Sequence, residues 1–107
     1  MSAATRYAAA PDAARSTRDC TDPWFFVLFN ADRSLAPCCW HPPVARLAPG
    51  ESLEAALNGE AIKAVRRQLL TGALGPHCAD CPARGLTDPT SLARRVQAEM
   101  AALQRPG

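Results

Sequence analysis

The sequence predicts a small α+β domain stapled through its cysteines, with one β-hairpin, two short helices and a C-terminal helix. Three observations carry that reading. The chain has 107 residues, which suits one small domain and excludes a barrel or a doubly wound enzyme. An aromatic and β-branched run is followed first by turn residues and then by two stretches of helical periodicity. Five cysteines stand in a chain whose apolar 48% is rich in alanine, so burial stabilises it only thinly and a covalent or metal staple is expected.

Residues 1–18, rich in alanine, arginine, serine and threonine with no apolar stripe, read as a flexible tail. Their alanines are interrupted by Arg6, Tyr7 and Pro11, so they lack the apolar core of a signal peptide and a cytoplasmic location is expected. The longest bulky apolar run, Trp24 to Phe29, is far too short for a membrane span. A cysteine-bearing domain is expected over 19–86 and the C-terminal helix over 87–107. Within the domain, Trp24 to Phe29 suits a buried strand, Asn30-Ala31-Asp32-Arg33-Ser34 a turn, and Ser34 to Cys39 a returning strand. Pro42, Pro43 and Pro49 mark an irregular loop. Ser52 caps a helix over Leu53 to Asn58, and Gly59 ends it. A second helix over Glu60 to Thr71 places Ile62, Val65, Leu69 and Leu70 on one face and stops at Gly72. Asp88, followed by Pro89, starts the last helix, where Leu92, Val96, Met100 and Leu103 recur at helical spacing. That stripe serves as core or as a docking face for a partner.

The cysteines carry the chemistry. Cys78-Ala79-Asp80-Cys81 has the spacing at which a tight turn brings two thiolates to one metal centre. Cys20 and the Cys38-Cys39 pair fall at the open end of the expected hairpin, and the helices can return Cys78 and Cys81 to the same place. In a reducing compartment an odd number of thiols reads better as metal ligands than as disulfides. Four converging thiolates bind either zinc or an iron–sulfur cluster, and spacing does not separate the two. Adjacent side chains of an extended segment point to opposite faces, so one of Cys38 and Cys39 reaches the centre. Cys38, aimed by Pro37, is favoured; Cys39 is then a spare buried thiol, or the ligand if the register slips by one. His41 and His77 flank cysteines and are replacement ligands only if four thiols do not suffice. Arg66, Arg67 and Arg84 are candidates to offset thiolate charge, weighed against ordinary solvated side chains. Eleven arginines and one lysine give a net charge of only +2 without clustering, which argues against nucleic acid. No phosphate loop, metal-binding helix motif or nucleophile turn is present.

The segments C-T-D-P-W at Cys20, P-C-C at Pro37, S-L-E-A-A-L-N-G at Ser52, R-R-Q-L-L-T-G at Arg66 and C-A-D-C at Cys78 resemble, in order, the SPASM domain. That domain is an extension of many radical S-adenosylmethionine enzymes. The likeness covers Cys20 to Cys81, about three-fifths of the chain. It implies one four-iron four-sulfur cluster on Cys20, Cys38, Cys78 and Cys81, with Arg66 where the family tends to have an arginine. The departures are as informative. There are thiolates for one cluster rather than two, Leu57 stands where a tryptophan is usual, and Asp32-Arg33 stands in a turn where glycine is frequent. No C-x-x-x-C-x-x-C occurs, so the part that cleaves S-adenosylmethionine is absent and the chain is not expected to be an enzyme on its own. The resemblance implies an accessory in electron transfer or substrate positioning, whose partner is a separate radical S-adenosylmethionine enzyme or its peptide or protein substrate. The rival reading is a zinc-stabilised interaction module.

Overall fold

The computed structural model describes residues 16–104, and the tail expected over 1–18 therefore lies almost wholly outside the described residues. Its last two residues do not belong to a tail. Thr17–Arg18 form a strand, β1, that pairs antiparallel with β5, Leu86–Thr87, in the register Thr17 to Thr87 and Arg18 to Leu86. Thr17 is fully buried, and its hydroxyl donates to the Leu69 carbonyl at 2.6 Å. A short polar strand of this kind has no periodicity to read, because each residue is fixed by a distant partner rather than by its neighbours.

The aromatic run differs from expectation for a local reason. Asp22 and Pro23 open a helical turn, α1 (Asp22–Phe25), in which the proline sits where a missing N–H costs nothing. Of the run, Leu28–Phe29 forms a strand, β2. Phe25, Phe26 and Phe29 are exposed rather than buried, so the run is not an inner strand. β2 pairs with β3 (Ser34–Ala36), Leu28 opposite Ala36 and Phe29 opposite Leu35, so the expected hairpin forms. In its turn Arg33 adopts φ 73°, the left-handed conformation glycine would enter without steric cost. The Asp32 carboxylate accepts from the Ser34 amide and hydroxyl and closes the turn. β3 ends at Ala36, short of the expected Cys39, because Pro37 offers no N–H to extend the ladder. The proline-rich loop contributes a third strand, β4 (Ala45–Arg46), paired on β3 through Ser34 to Arg46 and Leu35 to Ala45.

The helices follow the sequence closely. α2 (Leu53–Leu57) is capped by the Ser52 hydroxyl, which accepts from the Ala55 amide at 3.1 Å. α3 (Glu60–Thr71) buries Ile62, Val65 and Leu69 while Leu70 is half-buried, and Gly72 ends it at φ 78°. A further turn, α4 (Pro76–Ala79), carries Cys78. α5 (Pro89–Leu103) is capped by Asp88, whose carboxylate accepts from the Ser91 amide at 2.9 Å. Leu92 and Val96 of α5 interlock with Val65 and Leu69 of α3 to make the core, with Cys20, Trp24, Val44 and Leu74 packed around it. Met100 and Leu103 stay exposed, so the apolar stripe is core for two turns only. The molecule is α+β, with a three-stranded meander and a two-stranded pair in place of a single hairpin. No helix among the described residues is long and apolar enough to cross a membrane.

Candidate metal centre

Cys20 follows β1, Cys38 follows β3, and Cys78 and Cys81 bracket the end of α4. These three stretches meet. Cys20, Cys38, Cys78 and Cys81 together line one cavity of about 20 Å³, with Arg18, Trp40, His41 and Leu69 forming the rest of its wall. The four cysteines are half-buried free thiols. Cys39 is exposed, contrary to the expectation of a spare buried thiol, and does not line this cavity.

Several hydrogen bonds hold the segments in place. The Arg18 guanidinium reaches across to the C-x-x-C turn, where Nε donates to the Cys78 carbonyl at 2.7 Å, Nη1 to the Arg84 carbonyl at 3.0 Å, and Nη2 to the Ala79 carbonyl. One planar fork thus gathers three carbonyls of the ligand loop, an arrangement lysine cannot copy. The Trp40 indole N–H donates to the His77 carbonyl at 2.7 Å and ties the Cys38 segment to α4. The His41 amide donates to Cys38 Sγ at 3.3 Å. The imidazoles of His41 and His77 lie 5.2 Å apart between centroids at 60°, beside the thiols.

Of the arginines considered from sequence, Arg84 alone stands at the centre. Its Nη2 bridges both Asp22 carboxylate oxygens, at 3.1 and 3.2 Å, and its charge acts on Cys20. Arg66 instead ties the first helices together, with Nε on the Pro23 carbonyl at 2.8 Å and Nη2 on the Leu57 carbonyl at 3.2 Å. Arg67 meets Glu60 at 3.6 Å on the surface. Arg18 and Trp40 are the site residues that sequence reasoning passed over. Arg18 stood in the supposed tail, and the only signal for it was its place two residues before Cys20.

Burial pushes the Cys20 thiol up to about 11, with the Asp22 and Cys38 charges adding to the rise and the Asp22 amide and Arg84 opposing it. Burial likewise raises Cys78, helped by Cys38 and Cys81 and opposed by Arg18. Without a bound cation these thiols hold their protons. A metal reverses that preference, since it binds the thiolate and expels the proton.

The donor set suits a thiophilic metal in composition, in charge compensation by Arg18 and Arg84, and in convergence. A tetrahedral zinc at Zn–S of about 2.3 Å holds its sulfurs roughly 3.8 Å apart, and no three His, Cys, Asp or Glu side chains among the described residues are grouped for a single metal ion. Lining one cavity is a looser condition than ligating one ion, and only the looser condition is met. A second, larger pocket of about 430 Å³ adjoins the first and shares Cys20, Cys38 and Cys81 with it. No family model, no curated protein and no solved structure matches this chain.

Proposed function

We propose that the chain is a free-standing SPASM-like module that binds one four-iron four-sulfur cluster through Cys20, Cys38, Cys78 and Cys81. In this reading it acts in the cytoplasm as an electron-transfer or substrate-positioning accessory to a separate radical S-adenosylmethionine enzyme, or to that enzyme's peptide or protein substrate. The observation that carries the reading is the convergence of four cysteines from three separated stretches on one cavity. The neighbouring pocket of about 430 Å³, which Cys20, Cys38 and Cys81 also line, leaves room beside the four thiols for a cluster. Bound there, the cluster would supply one-electron chemistry. The chain's own part is ligation by four thiolates, two guanidinium charges nearby, and a wall that includes Trp40 and Leu69.

The ion-sized inner cavity favours a second reading, a structural zinc that fixes the fold while another surface binds a partner. Anaerobic loading of the full chain with iron and sulfide separates the two. The cluster reading expects a brown protein with iron and sulfide in equal amounts, lost on Cys20→Ala or Cys81→Ala. A colourless product that takes up one zinc and no sulfide establishes the zinc reading, and a chain that takes up neither metal overturns both.

A further inference from the structure

Arg66 is half-buried and, among the described residues, forms no ion pair. Its Nε and Nη2 donate to the Pro23 and Leu57 carbonyls, which orient the guanidinium without neutralising it. Burial draws its pKa below the ordinary arginine value, as befits a charge that has lost water and gained no anion. Both protons of Nη1 are left over among the described residues, and an arginine fork with free protons takes both oxygens of a carboxylate. Arg66 is also the one charged residue lining an apolar groove of about 360 Å³ between α1, α2 and the end of α5. Trp24, Phe25, Phe26, Val27, Leu57 and Leu103 supply the apolar wall, and Asn58 is its other polar member. Phe25, Phe26 and Leu103 are exposed, so the groove is open to an incoming ligand.

An uncompensated cation at the polar end of an apolar groove calls for a ligand with one anionic end and an apolar body. A single planar fork suits a carboxylate better than a phosphate, whose second charge would have no cation of its own in the groove. The surroundings favour a peptide over a free acid. Phe26 and Val27 run directly into β2, the edge strand of the order β2-β3-β4, so the groove adjoins backbone groups with no strand partner on their outer side. Asn58 spends Nδ2 on the Glu54 carbonyl and keeps Oδ1 for a backbone N–H. We propose that this groove binds the C-terminus of a peptide ending in an aromatic or branched aliphatic residue. Arg66 holds the terminal carboxylate, the wall from Phe25 to Leu103 takes the last side chain, and the β2 edge carries the residues before it. No cysteine lines the groove, so the site goes beyond the cluster reading and does not depend on it.

The test titrates the full-length chain into fluorescein-labelled Gly-Ser-Thr-Val-Phe and follows anisotropy, with the same peptide as its C-terminal carboxamide and with N-acetylphenylalanine as competitor. Saturable binding of the free-acid peptide is expected, weakened about tenfold or more by the carboxamide, which removes a charge-assisted pair. Arg66→Lys keeps the charge but loses the fork and should weaken binding comparably. Because Arg66 also ties α1 to α2, Leu103→Glu provides a second variant at an exposed position away from those bonds. It removes apolar wall, brings a like charge toward the carboxylate and should weaken binding several-fold. Arg67→Ala, whose side chain meets Glu60 outside the groove, should bind as the wild type does. Equal binding of acid and carboxamide, no saturable binding of either, or an Arg67→Ala loss as large as that of Leu103→Glu overturns the site. N-acetylphenylalanine competing as strongly as the unlabelled peptide overturns the peptide as its occupant. Every arm is read on the metal-free chain, so failure here leaves the thiol reading standing, and failure to load iron or zinc leaves this groove standing.

Discussion

At the residue scale the chemistry turns on thiols whose surroundings oppose ionisation. Cys20 ordinarily titrates at 9.0 and in the fold at about 11, chiefly through burial. A folded-state pKa above the unfolded one contributes stability that is complete below the unfolded value and is lost as pH rises through the folded one. The metal-free protein should therefore weaken between about pH 9 and pH 11, and Cys78, raised by the same cause, adds to the effect in the same direction. Urea midpoints measured across that range should fall less steeply for Cys20→Ser than for the wild type. Parallel slopes for the two proteins would mean that Cys20 is not held protonated by the fold. Loading a metal inverts the dependence. The bound thiolate must shed its proton, so the loaded protein loses its advantage as pH drops instead. Trp40 and Arg18 belong to this scale as well, since one indole and one guanidinium fasten separate ligand segments to each other.

At the element scale, the pairing of α3 with α5 decides whether the C-terminal helix is structure or docking surface. Leu92 is fully buried against Val65 and Leu69. Leu92→Ala should cost about 3 kcal/mol, as large-to-small changes at well-packed sites do, and chemical denaturation of the metal-free protein reads the loss. A cost under about 1 kcal/mol would mean that α5 only rests on the domain. This pairing was legible in the sequence, because Ile62, Val65, Leu69, Leu92 and Val96 repeat at helical spacing and glycine, serine and aspartate mark the helix ends. The hairpin was legible through its turn residues. What escaped was set from a distance or by a single proline. Pro23 turned the start of the aromatic run into a helix, Pro37 cut β3 short, and β1 with β5 exists only because two short dipeptides, Thr17-Arg18 and Leu86-Thr87, meet across the chain. The clamp from Arg18 to the C-x-x-C loop was invisible for the same reason. The convergence of the cysteines was legible because their spacing around a hairpin and helix pair is geometry that sequence order already constrains.

At the scale of the whole molecule, the apolar core is small and lies beside the thiols rather than away from them. Val65, Leu69, Leu92 and Val96 form its centre, and Cys20 packs directly on them while Leu69 also lines the thiol cavity. Core and candidate centre are thus one continuous body, with β1 and the C-x-x-C loop locked to each other by Arg18 on its far side. A metal gripping Cys20, Cys38, Cys78 and Cys81 would cross-link the beginning, middle and end of the fold. Because the unfolded chain cannot present the four thiols together, binding energy enters directly as folding energy. At free metal one hundredfold above the dissociation constant, that linkage is worth about 2.7 kcal/mol. In a domain of this size the gain corresponds to a rise in Tm of roughly 10–20 °C. Scanning calorimetry of the loaded and stripped chains under anaerobic conditions should show that rise, growing with metal concentration and vanishing in Cys20→Ala. An equal Tm with and without metal would place the thiols outside the cooperative fold, and the staple would then have no structural work to do.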